Sequence, residues 1–424
     1  MTYHNAIKYI KNAPNVTPDD SLAKERITKL CEAIGNPQKK IKYVRLAGNN
    51  GKSVCACMIT SILNKAGICS GALTMPLLSE IRENVRINGE PISIEETAKF
   101  TEQVSKAVLS INSSSKDTAI FAPTAHEIIL CIALLAFVAH DCKLALIESE
   151  HNSGDPSRFL PIPISAIICG TIPSDDQEEI SKIYSYIQRG VNEAISIPQD
   201  HKAFKIIETA CHKANCRLTI SVPKKAIVTS LTLGGSHFTY KNAEYSLRVC
   251  GRFQVTNAIL AIESCEMLVR NGYKIERSHI KSGLLSLSLP SKFEIVSISP
   301  TIIIDSTYAP IAIETVSDSM SELKHLTGTK GRLCLPFNEL CEEYTEALTK
   351  RGYDIESIVA LSLFDGEDIS QSEIHSIPLT VCKTPKLAAK KALENLNSDT
   401  ILLISGKANV SEKIRYEMLG ILSF

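Results

Sequence analysis

The chain has 424 residues, 44% of them hydrophobic and 22% charged, with 46 Lys and Arg balanced by 46 Asp and Glu. Such a length implies two or three domains, and the apolar share excludes wholesale disorder. Zero net charge, no Trp and 5% aromatics argue against a general nucleic-acid binder, while leaving room for a local basic pocket that takes an anionic substrate. Residues 1–11 (MTYHNAIKYIK) lack the apolar stretch of a secretory signal. Residues 128–139 (IILCIALLAFVA) fall short of the roughly 20 apolar residues of a membrane span and predict a buried helix. The 14 cysteines are dispersed, without CxxC or a Cys/His block, so reduced thiols in a cytosolic core are expected.

In chain order, Leu22, Ile27, Leu30, Cys31 and Ile34 recur at helical spacing, and Gly35-Asn36-Pro37 ends that helix. Residues 41–47 (IKYVRLA) predict a strand, followed by a glycine turn and a helix marked by Val54, Met58, Ile62 and Ala66. Residues 144–148 and 166–169 predict further buried strands, the rhythm of a parallel sheet covered on both faces. Residues 225–250 predict a β-rich insertion turning at Gly234-Gly235. From about residue 300 a second strand rhythm runs through 301–305, 332–336, 357–363, 378–382 and 400–405, with a helix at 385–396. The expected fold class is therefore α/β. A central parallel-sheet phosphate-loop ATPase domain spans 1–297, and a smaller Rossmann-like domain spans 298–424.

The strongest local motif is Ala47-Gly48-Asn49-Asn50-Gly51-Lys52-Ser53, with a strand before it and a helix after it. Successive N–H groups of such a turn point into one cavity, and the helix N-terminus and Lys52 add positive charge. Ser53 offers a hydroxyl for Mg²⁺, and glycines let a phosphate approach closely. The strict GxxxxGK[ST] pattern is not met, because Leu46 holds its first glycine position. On spacing alone, a plain strand–helix turn with an incidental surface lysine is the alternative.

Taken with its surroundings, the motif resembles the folylpolyglutamate and dihydrofolate synthases, ATP-dependent amide ligases of the Mur type. Their folate branch reads GNPQ…HVAGTNGKGS, and here Gly35-Asn36-Pro37-Gln38 precedes VRLAGNNGKS, with residues 26–30 (RITKL) fitting the upstream helix. Residues 83–89 (ENVRING) are similar to ERIxING, 123–137 to the TxFExxTAxAF helix, and 251–258 (GRFQVTNA) to GxHQxxNA. Residues 289–294 (LPSKFE) are similar to WPGRFE and 305–310 (DSTYAP) to DGAHNP. Residues 404–407 (ISGK) fall at a late glycine-serine turn.

The resemblance implies ATP in a cleft between two domains and a two-step reaction. A carboxylate of the pterin substrate attacks the γ-phosphate, and the glutamate amine then attacks the acyl phosphate. It implies phosphate binding by Gly48, Asn49, Asn50, Gly51, Lys52 and Ser53, with Lys52 and Glu127 catalytic. Asn257 would lie on the adenine side, Lys292 (for an arginine) on the phosphates, and Asp305 on the ribose or phosphates. Ser53, Glu127 and Asp175 would hold Mg²⁺. Bland alternatives are a solvent-reaching helix-end Glu127, a helix-start Asn257 and a strand-terminating Asp305. The expected substrates are ATP, L-glutamate and a reduced folate or dihydropteroate, and the expected protein is a cytoplasmic monomer with no nucleic-acid or membrane partner.

Departures cluster where chemistry is expected. The family's TSPH loop reads Thr74-Met75-Pro76-Leu77, and Met75 cannot usefully bind Mg²⁺. The GLGGRLDATN loop becomes residues 149–158, although Glu148 keeps the acid at the strand end. The metal-binding histidine falls at Asp175 or Asp176. The stretch that carries a carbamylated lysine, residues 187–192, has none, with Arg189 a nearby cation. Tyr308 and Ala309 replace the histidine and asparagine of DGAHNP. Active glutamate ligation to folate is the leading expectation. The alternatives are a nucleotide-binding paralogue acting as a regulator or partner, a ligase with another acceptor, and a phosphate-loop phosphotransferase.

Overall fold

The computed structural model describes residues 1–14, 22–75, 80–114, 121–149, 155–161, 163–172, 177–187, 189–306, 310–327, 330–337, 340–362, 371–406 and 408–422. The chain divides into two compact units. One comprises Met1–Pro223 with Asn257–Leu284, and the other Lys224–Thr256 with Leu285–Phe424.

The first unit is built on eight strands: β1 (Tyr43–Ala47), β2 (Ser70–Leu73), β3 (Val85–Ile87), β4 (Glu90–Pro91), β5 (Leu144–Glu148), β6 (Ser165–Ile168), β7 (Glu193–Ser196) and β8 (Arg217–Ile220). Their order is β4-β3-β2-β5-β1-β6-β7-β8. From β2 to β8 neighbouring strands pair in parallel, while β2–β3 and β3–β4 are antiparallel. Every residue of β1, β5, β6 and β7 is buried, which explains why β1, β5 and β6 read as largely apolar runs rather than alternating ones, whereas β7 (EAIS) gave no such signal. The apolar run at 128–139 lies within the helix Ala125–Ala139, packed in the core with Ile129, Leu130, Leu134 and Phe137. Among the described residues no helix is long and apolar enough to cross a membrane, and no cysteine is in a disulfide.

The sheet has its switch point at β1. The chain leaves β1 through the helix Lys52–Lys65 toward β2 on one side, then passes from β5 across to β6 on the other. Ligands of open α/β sheets bind beyond the carboxyl ends of the strands at such a point. The register sets Leu46 beside Glu148 and Ala47 beside Ile168, so the loops after β1, β5 and β6 leave the sheet together.

The second unit holds two sheets. Strands β9 (Ile227–Thr232), β10 (Gly235–Tyr240) and β11 (Ala243–Leu247) form an antiparallel meander in the order β11-β10-β9. The other strands are β12 (Lys292–Ile298), β13 (Thr301–Asp305), β14 (Lys330–Pro336), β15 (Asp354–Leu361), β16 (Gln371–Ile374), β17 (Ile377–Cys382) and β18 (Thr400–Ile404). They are ordered β12-β13-β18-β14-β15-β17-β16, parallel from β13 to β17 with antiparallel edges.

The sequence sets the domain change at about residue 297 and keeps the 225–250 segment with the first domain, whereas the contacts divide the chain at other points. The reason is packing. Leu231, Leu233, Cys250 and Phe253 pack in one core with Phe293, Ile303, Leu333 and Tyr344, which draws both the meander and β12 into the second unit. The helix expected over 385–396 ends at Leu393.

Candidate nucleotide site

The turn after β1 is shaped by its neighbours in the first unit. Gly48 has φ +104°, and a Cβ there would stand 1.9 Å from the Cys169 carbonyl oxygen just beyond β6. Gly51, the N-cap of the helix Lys52–Lys65, has φ +80°, and a Cβ there would stand 2.7 Å from Asn257 Oδ1. The sequence offered phosphate approach as the reason for glycine. The folded chain supplies a reason of its own, because side chains at these positions would collide with protein atoms before any ligand arrives. Asn257 is therefore placed against the turn, near the start of the helix Arg252–Arg270.

Lys52 is 6% exposed, which removes the surface-lysine alternative. Its ammonium donates to the Gly48 carbonyl at 2.6 Å and lies 4.0 Å from Glu148 Oε1. Ser53 Oγ donates to Glu148 Oε2 at 2.9 Å, and the Met75 N–H donates to the same oxygen at 3.3 Å. A hydroxyl, a carboxylate and an ammonium thus converge at the open end of the two central strands. The Asn49 Oδ1 atom is buried and accepts no hydrogen bond among the described residues.

Glu148 is the residue that the motif reading undervalued. Its signal is an acid closing a fully apolar strand, which is unfavourable to bury unless a cation or donor meets it. Only the register of β5 beside β1 places it opposite Ser53. Hard oxygens in this number suit Mg²⁺, which takes one or two protein ligands and completes its shell with water and phosphate. Among the described residues no group of three or more His, Cys, Asp or Glu side chains gathers as a metal cage.

Glu127 is placed elsewhere in chemical terms. It is 1% exposed and closes a capping box, its Oε2 accepting from the Thr124 N–H at 2.8 Å while its own N–H donates to Thr124 Oγ1 at 3.3 Å. The Arg26 guanidinium grips both oxygens, Nη2 to Oε1 at 2.8 Å and Nε to Oε2 at 3.1 Å. A positive partner does offset the buried carboxylate, as its apolar setting demands, but that partner is an arginine of the helix Ala23–Ala33, about a hundred positions earlier in the chain. Glu127 therefore does not reach solvent, and both of its oxygens are occupied by protein donors.

Lys292 and Asp305 come together in the second unit as register partners on β12 and β13. Lys292 Nζ donates to Ser306 Oγ at 2.8 Å, and Asp305 Oδ1 accepts from the Phe293 N–H at 2.8 Å. The turn is strained, with Ser291 at φ +56° and Phe293 at φ +58°, a conformation that bulky residues adopt only when their surroundings enforce it. Tyr344 Oη and Ser405 Oγ are 2.8 Å apart in the interior. Burial, and after it the Asp305 carboxylate, pushes the Tyr344 phenol well up.

Met75 has its side chain in the apolar core, and it is its backbone N–H that reaches Glu148. Arg189 is exposed. Asp175, Asp176, Pro76, Leu77, Tyr308, Ala309, Lys407 and residues 150–154 lie outside the described residues.

Fold and turn together define a class: a two-unit α/β protein with a phosphate-loop turn at the switch point of its larger sheet. No protein-family model matches the chain. It is 24% identical over 417 residues to the dihydrofolate synthase/folylpolyglutamate synthase of Bacillus subtilis (strain 168), covering 92% of this chain and 93% of the relative. Its fold matches a folylpolyglutamate synthase solved with AMPPCP and folate at a TM-score of 0.81 and 19% identity, over 99% of this chain and 100% of the other. The Mycobacterium tuberculosis folylpolyglutamate synthase, solved with ADP and AMPPCP, matches at 0.79 and 18% identity over 98% of each chain. The chain thus shares the fold of the folylpolyglutamate synthases and is similar, along nearly its whole length, to a dihydrofolate synthase/folylpolyglutamate synthase.

Proposed function

We propose that this protein is an ATP-dependent ligase that joins L-glutamate to a folate, releasing ADP and phosphate. The observation that carries the reading is the Lys52–Ser53–Glu148 cluster at the switch point, in a chain matched along nine-tenths of its length by a synthase of this kind.

The chain's own groups account for the electrostatics of the first step. The folate carboxylate oxygen attacks the γ-phosphorus, the bond to the β-phosphate oxygen breaks, and ADP leaves. Negative charge gathers on the transferred phosphoryl group, where the turn's N–H groups, the helix N-terminus and the Lys52 ammonium face it. Lys52 is pre-placed, because its contacts with Gly48 O and Glu148 already fix its direction. A Mg²⁺ arriving with the nucleotide would be held by Ser53 and Glu148 and would neutralise phosphate charge. In the second step the glutamate amine attacks the acyl carbonyl, loses a proton, and phosphate leaves as the amide forms. Asn257 is proposed to orient the nucleotide from the side of Gly51. Lys292 and Asp305 are proposed as nucleotide contacts on the strength of the resemblance, as is a metal role for Asp175. Glu127 we assign to holding Arg26 and its helix rather than to the metal.

ADP release measured with a panel of pterins tests the reading. Release that requires both a folate and glutamate, and that falls at least about a thousandfold in Lys52→Ala, is the expected result. Turnover surviving that substitution, or a product that is phosphorylated without glutamate, overturns it. One observation favours a second reading, a nucleotide-binding paralogue with altered chemistry: the resemblance sets a metal-ligating serine at position 75, where the chain has a methionine turned into the core. Nucleotide binding with no glutamate-dependent ADP release would decide for it.

A further inference from the structure

Arg45 is the middle residue of β1, the central strand of the first unit, and is 3% exposed. It lies beside Ile147 of β5 and Ala166 of β6. A guanidinium in such a place is expensive to desolvate unless its partners are well arranged. Its partners come from two separate segments. Nη2 donates to the Ser157 carbonyl oxygen, in the short turn Pro156–Phe159 that follows β5. The Tyr186 ring, from the helix Gln177–Tyr186, lies under the guanidinium, 4.7 Å from ring centroid to Cζ. Asp155 joins the two: its Oδ1 accepts from the Ser157 N–H at 2.9 Å and its Oδ2 from the Tyr186 hydroxyl at 3.1 Å. Burial lowers the Arg45 pKa, and the Asp155 carboxylate opposes that shift. Arg45 Nε donates to no acceptor among the described residues, so the side chain is not placed by its own full satisfaction.

The placement links two parts of the proposed site. Arg45 shares its strand with the turn at Gly48, and the segment it grips leaves the strand that ends in Glu148. We propose that Arg45, clamped by Asp155 and Tyr186, is a positioning residue. It fixes the Asp155–Phe159 turn against the central strand, and that turn we assign to the acceptor half of the reaction. This rests on the ligase reading above. The phosphate turn has separate supports in the Gly48–Cys169 and Gly51–Asn257 contacts, so nucleotide binding should be spared when the clamp is lost.

The test compares Arg45→Met, which keeps length and loses charge, with Arg45→Lys, which keeps charge and loses the planar fork. Two readouts are taken on the full chain at a temperature where each variant is folded. The first is hydrogen exchange at the Ser157 and Leu160 amides, which donate to Asp155 Oδ1 and Ser157 O. The second is glutamate-dependent ADP release, with AMPPCP affinity measured separately by calorimetry. In Arg45→Met both amides should exchange at least about tenfold faster. Its kcat for ligation should fall at least about tenfold with AMPPCP affinity within about threefold of wild type. Arg45→Lys should lie between. Faster exchange with unchanged kcat makes Arg45 a structural residue only and overturns the proposal, as does parallel loss of AMPPCP binding. A wild type without glutamate-dependent release sinks the ligase reading and the positioning role with it, while the exchange data still decide whether the clamp exists.

Discussion

Replacing Gly48 with Ala tests the packing account of the turn most directly. The added Cβ would stand 1.9 Å from the Cys169 carbonyl oxygen, where real Cβ contacts essentially never fall below 3.0 Å. The obstacle is backbone, so it cannot swing aside as a side-chain tip would. Relief requires moving the end of β6 away from β1, against the Cys169 N–H bond to Ala47 O at 2.8 Å. Over-packing of this sort costs about 1–3 kcal/mol, and a Cβ at positive φ costs about 1–2 kcal/mol more, giving about 2–5 kcal/mol in all. Gly67 is the control, with φ +70° and nothing within 4 Å of the Cβ position, so Gly67→Ala should carry the conformational cost alone. Native-state hydrogen exchange at the Cys169 amide reads the local cost, and calorimetry reads AMPPCP affinity, which should fall in Gly48→Ala and stay unchanged in Gly67→Ala. Equal losses in the two variants would refute the argument that the Cys169 carbonyl, rather than conformational freedom alone, requires glycine at position 48.

Glu148→Gln keeps a partner for the Ser53 hydroxyl but removes the negative charge. The Mg²⁺-dependent gain in AMPPCP affinity should shrink at least about tenfold, read by titrating nucleotide with and without the metal; an unchanged gain would exclude Glu148 as a ligand. Arg26→Met leaves Glu127, 2% exposed at its side chain, with the Thr124 N–H as its side-chain donor among the described residues, and should cost about 2–4 kcal/mol of stability while leaving the Mg²⁺ gain intact. A lost Mg²⁺ gain there would return Glu127 to the metal site. In the second unit, burial pushes the Glu294 carboxyl up, but Arg415, at 2.7 and 2.8 Å, and the Ser291 N–H outweigh it and hold the pKa below the ordinary value. A depressed folded pKa stabilises above the unfolded value of about 4.3, and the contribution is lost as pH falls through the folded value. Arg415→Met should therefore destabilise by about 1–3 kcal/mol at neutral pH, with the difference from wild type shrinking below about pH 4. A pH-independent difference in urea unfolding would assign the loss to packing.

Much of this protein was legible in its residues. The apolar runs at 41–47, 144–148, 166–169, 301–305 and 400–405 gave the strands because buried parallel strands carry no polar face to obscure them, and the turn at 48–53 marked the site proposed to take phosphate. Elements with mixed burial, such as β8 and β12, left no clean period to read, and no strand was expected there. Glu127 and Glu148 show the limit at the site. Both are acids at the edge of an apolar segment, and the resemblance gave Glu127 to Mg²⁺ while leaving Glu148 only as an acid at a strand end. The register of β5 against β1 turned one toward Ser53 and Lys52, and helix packing turned the other toward Arg26. The sequence by itself determined the fold class, the glycine turn at 48–53 and the family resemblance, because periodicity and spacing are properties of neighbours along the chain. The tertiary structure alone decided which carboxylate faces the turn at 48–53, what fills the space over Gly48 and where Arg45 finds its partners, because each depends on distances between residues about a hundred positions apart.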